Sequence, residues 1–201
     1  MIKLLIFDLG GVVIKLGDEI LPASWFDPER SLSLQQWLHS ELAADFERGE
    51  LSANAFAGAL KRELTLGQSS EQIIEAFRQW PESLYPQVVE AIGRLKGHYK
   101  VVALSNTNEV HYPRIFDEFK LDECFDEIFA SHIMGLLKPD AAAFFHVLDA
   151  MGCPASEAVF IDDNLDNILA AQELGLTTIH AKGEQQVMEG LVQLGLKGLL
   201  Q

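Results

Sequence analysis

Five residues at four places along this 201-residue chain are of types that do chemistry together: Asp8, Ser105, Lys138 and the pair Asp162-Asp163. Three of the four places follow apolar runs. IKLLIF leads into Asp8, VVAL into Ser105 and AVFI into Asp162. Runs of this kind read as strands buried on both faces of a parallel sheet. Such strands point their C-terminal ends the same way, and open α/β sheets bind ligands at that edge, so these groups can converge. Gly10 and Gly11 let the backbone turn sharply there and come close to whatever is bound. Each residue alone also has a plain reading: Asp8 as a turn cap, Ser105 as a strand-end turn residue, Lys138 as a surface lysine before Pro139. Order and company favour the functional reading. Three carboxylates held together without a cation are costly, so Asp8, Asp162 and Asp163 argue for a metal on electrostatic grounds.

The ordered set resembles the haloacid dehalogenase-like hydrolases, a superfamily dominated by phosphatases, over most of the chain. Within it, the FDLGGVV opening and LSNTN are most similar to the glucose-1-phosphate phosphatase type. The phosphatase domain of soluble epoxide hydrolase is a second similar relative. The resemblance implies a Mg²⁺-dependent phosphatase of small phosphorylated metabolites, sugar phosphates among them, working through an aspartyl-phosphate. Asp8 would then be the nucleophile and lend one oxygen to Mg²⁺. Asp163 and the Gly10 carbonyl would supply further oxygens, which suits an ion that prefers six and keeps several waters. Ser105 and the Asn106 amide would donate to phosphate oxygens. Lys138 would stand between Asp8 and the phosphate. Asp162 and Asn167 would orient Lys138 or a metal-bound water.

One position departs from the pattern. The family usually carries a second aspartate two residues after the first, and here that residue is Gly10. Glycine can neither protonate a leaving oxygen nor deprotonate water. Asp18, Glu19 and Glu47 are the acidic residues available to restore that function. Two other readings remain. A haloacid dehalogenase would use Asp8 to displace halide from carbon, but such relatives need no metal and usually lack the paired carboxylates. A catalytically silent binding protein is kept open by Gly10.

The elements that would position these groups form an α/β, Rossmann-like doubly wound parallel sheet with a small inserted α-helical cap. The expected core is residues 1–15 and 85–201, and the cap is residues 16–84, with no strand in it. Leu34, Trp37, Leu38, Leu42 and Phe46 at helical spacing predict a helix over 33–49, stopped by Gly49. Ser52 is expected to cap a helix over 53–64, and Ser70 one over 71–80 that ends at Pro81. Alternation of strand and helix follows. Strands are expected at 100–104, 127–130, 158–161 and 177–180. Helices are expected at 87–96, 110–119 (despite Pro113), 140–151 capped by Asp140, 165–174 and 184–194. Arg48, in the polar knot 47–50, is a candidate contact for a substrate hydroxyl or phosphate. His39, Trp25, Trp37 and Trp80 read as packing residues, with one tryptophan free to line a pocket. His111, His132 and His180 form no metal set.

Composition narrows the partners. Apolar residues make up 48% of the chain, as in globular proteins, and the formal net charge is −15. That charge repels nucleic acid and anionic lipid. It also repels a phosphate ester, so a phosphate site needs local cations or a metal. Cys124 and Cys153 are isolated and suit a reducing compartment. No leader-like segment or run of about 18 apolar residues is present. The expectation is a cytoplasmic protein acting on a small phosphorylated metabolite, with neither nucleic acid nor membrane as partner. Oligomeric state is not encoded in any of these signals.

Overall fold

A computed structural model describes residues 1–26 and 40–200. Strand β1 (Leu4–Phe7) is fully buried and runs into the Asp8–Gly11 turn; β2 (Ile14–Leu16) follows at once. Helices α1 (Glu41–Glu47), α2 (Ala53–Glu63) and α3 (Ser70–Arg78) come next, and β3 (Pro81–Leu84) returns antiparallel to β2. Helix α4 (Pro86–Leu95) leads to β4 (Lys100–Ser105). A π-helical turn (Arg114–Glu118) and the short α5 (Leu121–Cys124) precede β5 (Glu127–Ala130) and α6 (Ser131–Met134). The chain ends with α7 (Ala141–Met151), β6 (Ala158–Asp162), α8 (Leu165–Glu173), β7 (Thr177–His180) and α9 (Gly183–Leu191), then short helical turns to Leu199.

The five-stranded sheet is parallel throughout, in the order β5-β4-β1-β6-β7. From β1 the chain moves outward through β4 to β5, then crosses back to β6 and β7. The order therefore reverses at β1, where open α/β sheets form their ligand crevice. Alternation along the strands sorts the core into two layers. Leu5, Phe7, Val101, Ala103, Val159 and Ile161 pack against Val88, Ile92 and Leu95 of α4 and Val187 and Leu191 of α9. Leu4, Ile6, Val102, Leu104 and Phe160 pack against Phe144 and Val147 of α7 and Ile168 of α8. The apolar runs are continuous because both faces are covered.

Helices α1 to α3 have a separate apolar cluster, built on Phe46, Phe56, Leu60, Ile73 and Phe77. Phe46 and Phe56 stack at 4.0 Å between ring centroids. Each helix starts on a serine whose hydroxyl accepts a backbone N–H: Ser40 from Ala43, Ser52 from Ala55 and Ser69 from Gln72.

Several expectations need correcting. Residues 16–84 were expected to lack a strand, but β2 and β3 frame this segment as an antiparallel ribbon. The third helix is capped by Ser69, not Ser70, because the Gln72 side chain also accepts the Ser69 N–H and closes a capping box. The first helix starts at Glu41, after an extended Ser40; Leu34, Trp37, Leu38 and His39 lie outside the described residues. Helix 110–119 is reduced to the π-helical turn, because Asn108 accepts the N–H groups of Val110 and His111 and holds a turn there. Asp140 stands at the N-cap of α7 without its side chain capping it. No helix among the described residues is long and apolar enough to cross a membrane.

Candidate active site

Asp8, Ser105, Lys138, Asp162 and Asp163 line one cleft of about 800 Å³ at the C-terminal edge of the sheet. Asp8 follows β1, Ser105 ends β4 and Asp162 ends β6, and the backbone N–H of Asp8 donates to the Ile161 carbonyl at 2.8 Å. The register that pairs Phe7 with both Ala103 and Ile161 sets Asp8 level with Asp162, with Ser105 one residue further along its strand. The far wall is α1, which presents Ser40, Ala44, Glu47 and Arg48 along one side while Ala43 and Phe46 enter the helical cluster. Trp80 and Ile20 close one end.

Lys138 is the pivot. Its Nζ donates to Asp8 Oδ1 at 2.6 Å and to Asp162 Oδ2 at 2.7 Å, and it lies 5.3 Å from the centre of the Phe160 ring. Only 1% of the Lys138 side chain is exposed, so the ammonium has exchanged water for two carboxylates. Burial works to lower the lysine, and Asp8 and Asp162 outweigh it, holding it above its ordinary value. Burial also pushes Asp8 up, to about 7, with Lys138 pulling the other way.

Asp162 is fully committed. Its Oδ2 accepts from Lys138 and from Asn167 Nδ2 at 3.0 Å, and its Oδ1 accepts the Asn164 N–H at 2.7 Å. Asn167 is itself buried on the first turn of α8. Asp163 is freer: Lys182 Nζ lies 3.5 Å from its Oδ2, and burial followed by repulsion from Asp162 raises its carboxyl. Gly11 makes room for it. The Gly11 φ is +76°, and a Cβ there would lie 2.5 Å from Asp163 Oδ2. His180 supports the same loop, its Nε2 lying 3.0 Å from the Asp163 carbonyl oxygen.

Carboxylate oxygens of Asp8, Asp162 and Asp163 all lie within 4.8 Å of one another. An all-oxygen donor set suits a hard cation such as Mg²⁺. The hydrogen bonds divide the set: Asp162 is spent on Lys138, Asn167 and Asn164, whereas Asp8 and Asp163 each have an oxygen outside these contacts and could offer it to a metal.

Ser105 is buried beside Asp8, and among the described residues its hydroxyl has no partner. Asn106, expected to donate to phosphate, has a further role in the structure. Its Nδ2 donates to the Lys138 carbonyl and its Oδ1 accepts the Lys138 N–H, both at 2.9 Å. Its amide is thus mostly spent clamping the lysine segment to the end of β4. Gly10 lines the cleft without a positive φ.

Two further residues brace the surrounding loops, of which Ser131 was not singled out by sequence. Ser131 fastens the loop after β4, accepting the Thr107 N–H at 2.9 Å and donating to the Thr107 carbonyl at 2.8 Å. His111 is buried behind the cleft, with Nδ1 3.3 Å from Asn108 Nδ2 and Nε2 2.8 Å from the Phe77 carbonyl. This tie joins the β4 loop to α3. His111, three residues beyond LSNTN, was visible in the sequence, but its partner Phe77 lies 34 positions away.

The wider resemblance agrees with this geometry. The family model for haloacid dehalogenase-like hydrolases matches residues 2–175. The chain is 30% identical over 182 residues to a sesquiterpene phosphatase of Aspergillus oryzae, covering 89% of each protein. It is 28% identical over 192 residues to a D-ribitol-5-phosphate phosphatase of Bacteroides thetaiotaomicron, covering 89% of this chain and 91% of that one. A drimenol cyclase of Aspergillus calidoustus is 31% identical over 194 residues, and there the match spans only 35% of the longer protein. A crystal structure of a HAD family enzyme from Bacteroides thetaiotaomicron, in complex with magnesium and inorganic phosphate, superposes with a TM-score of 0.78 at 26% identity. That match covers 91% of this chain and 96% of that one. Sequence, topology and an oxygen-lined cleft at the switch point thus lead to one assignment: the chain belongs to the haloacid dehalogenase-like hydrolases, a Mg²⁺-using family whose members similar to it include phosphatases.

Proposed function

We propose that this hydrolase cleaves phosphate monoesters of small metabolites, sugar or polyol phosphates among them, through an aspartyl-phosphate on Asp8. The observation that carries the reading is the buried Asp8–Lys138–Asp162 bridge beside a free Ser105 hydroxyl. A carboxylate attacking phosphorus splits one difficult hydrolysis into two displacements. Lys138 bonds only Oδ1 of Asp8, so one carboxylate oxygen would attack phosphorus while the other would lie on Mg²⁺. Ser105 and Lys138 stand where charge gathers on the transferring phosphoryl oxygens, and donors fixed in advance stabilise that charge. Asp162, Asn167 and Asn106 keep Lys138 in place and touch no substrate. Asp8 and Asp163, with the Gly10 carbonyl, would hold Mg²⁺, which supplies a positive charge for a phosphate oxygen to bind.

We read residues 16–84 as a cap over this core. Its separate apolar cluster and the two-stranded tether support that reading, as does the α1 wall facing Asp8. A cap excludes water and contacts the leaving group. The D-ribitol-5-phosphate phosphatase relative and a cleft with many polar side chains favour a hydroxylated substrate.

The test is an assay of the purified chain against p-nitrophenyl phosphate and a panel of phosphorylated metabolites, with Mg²⁺ and with EDTA, beside a 2-haloacid. Phosphate release that EDTA stops, Asp8→Asn abolishes and Asp163→Ala shifts to higher Mg²⁺ supports the reading. Halide release, or full activity of a folded Asp8→Asn variant, overturns it.

A further inference from the structure

We infer that Glu47, on the wall facing Asp8, is the acid–base residue of this site. The inference rests on the phosphatase reading above. It begins from what the chemistry requires. When Asp8 attacks phosphorus, the ester P–O bond breaks on the opposite side, and an alkoxide leaving group needs a proton there. When water later attacks the aspartyl-phosphate, it approaches from that same side and must lose a proton. One carboxyl group facing Asp8 across the bound phosphate can serve both steps.

The groups on Asp8's own wall are committed, Asp163 to the metal in the proposed reading and the others to one another. Lys138 is shared between Asp8 and Asp162, Asp162 accepts three hydrogen bonds, and Gly10 has no side chain. Asp140 and Asp166 are exposed at the rim. Asp18 and Glu19 line a neighbouring cleft with Gly11, Trp80 and Tyr85, and Glu19 accepts the Ala23 N–H at 3.1 Å. Glu47 is different. It is the last residue of α1, half-buried, and it lines the cleft that holds Asp8, Ser105 and Lys138. Among the described residues its carboxyl group has neither a hydrogen-bond nor an ion-pair partner. The adjacent Arg48 is paired with Asp45 at 3.2 Å instead.

Gly49 fixes that placement. Its φ is +78°, and a Cβ there would lie 2.4 Å from the His132 carbonyl oxygen. The end of α1 therefore docks backbone to backbone against α6, next to the core wall. The surrounding protein also tunes the group. Burial pushes the Glu47 carboxyl up to about 7, against the opposing pulls of Lys138 and Arg48. Near neutral pH both of its forms are then populated, as a residue that donates in one half-reaction and accepts in the next requires.

The steps balance. An oxygen of Asp8 bonds to phosphorus, the P–O bond to the leaving group breaks, and the Glu47 proton goes to the departing oxygen, releasing the alcohol. Glu47, now a carboxylate, takes a proton from water as the water oxygen bonds to phosphorus. The Asp8–phosphorus bond breaks, freeing inorganic phosphate and restoring both carboxyl groups.

The experiment compares wild type, Glu47→Gln and Glu47→Gln/Gly10→Asp, with Mg²⁺, on n-propyl phosphate and 2,4-dinitrophenyl phosphate. General acid–base catalysis is worth about 10² to 10⁴ in rate, so Glu47→Gln is expected to lose that much on the propyl ester. On the dinitrophenyl ester, whose leaving group needs no proton, it is expected to give a burst of about one dinitrophenolate per chain and then slow turnover, as phosphorylated Asp8 accumulates. An aspartate at position 10 fits the backbone, since its Cβ meets only the end of the Leu16 side chain at 3.3 Å, and it is expected to restore propyl ester turnover. Glu47→Ala with added formate is a second route to the same rescue. Equal losses on both esters, with no burst and no rescue, overturn the assignment and leave the phosphatase reading intact. A wild type inactive on both esters overturns the two together.

Discussion

Replacing Lys138 by methionine removes the one cation that Asp8 and Asp162 share and keeps the apolar stem that packs near Phe160. At an effective dielectric constant of about 20, each ion pair at 2.6–2.7 Å is worth roughly 6 kcal/mol before desolvation is counted. Desolvation of three buried groups cancels most of that. Removing one partner still strands the other charges, which typically costs about 3–5 kcal/mol, a large part of a domain's usual stability of roughly 5–15 kcal/mol. With two carboxylates stranded, the expected loss at pH 8 in EDTA lies in that 3–5 kcal/mol range. The sign of the pH dependence follows. Without Lys138 the Asp8 carboxyl, already raised by burial, rises further above the ordinary aspartate value, so the folded variant binds more protons than its unfolded chain. Its stability therefore increases as pH falls toward 5, and the deficit against wild type shrinks. Urea unfolding of both proteins at pH 5 and pH 8 measures it, and Mg²⁺ at pH 8 should recover part of the loss. A deficit under about 1 kcal/mol, or one equal at both pH values, would falsify this account of the bridge.

Two further predictions concern the link between the helical segment and the core. Burial holds His111 down at about 4 against an ordinary 6.5, so the unfolded chain takes up its proton first as pH falls, and about 3 kcal/mol of stability disappears between pH 6.5 and 4. His111→Gln should flatten that part of the stability profile, and profiles of equal slope would show that His111 does not titrate this way. Gly49→Ala places a Cβ against the His132 carbonyl oxygen and forces alanine into the left-handed region, a conformation costing roughly 1–2 kcal/mol by itself. Unfolding midpoints should drop by at least that amount, and an unchanged midpoint would mean the end of α1 shifts freely.

The parts of the site legible in the sequence were those fixed by β geometry. A strand buried on both faces must be apolar along its length, so a polar residue that ends one is conspicuous, and parallel pairing alone brings Asp8, Ser105 and Asp162 to one edge. What escaped depends on tertiary docking. Strands β2 and β3 are short and half-exposed, β3 starts on a proline, and the pairing shifts register between Lys15 and Leu16, so no alternation develops. Asn106 reads in the sequence as a phosphate donor, and its bonds to Lys138, 32 positions on, are visible only in the fold. Glu47 is one of three candidate acids with Asp18 and Glu19, and nothing local in the sequence separates the three. It is distinguished by the wall it faces.

The charges around the cleft reconcile an acidic protein with an anionic ligand. Asp8, Asp162 and Asp163 carry three negative charges, and Lys138 and Lys182 return two. A phosphate dianion approaching this set meets a net negative charge inside a molecule of formal charge −15. On the proposed reading, a divalent cation held by Asp8 and Asp163 would reverse that sign. It would also oppose the burial that raises Asp8 and favour its ionised form. The same ion would lower Glu47 only weakly, since Glu47 stands on the other wall with the phosphate between them. Under the proposed mechanism one binding event would thus drive the two carboxyls apart in acidity: Asp8 would be ionised for attack while Glu47 would keep its proton.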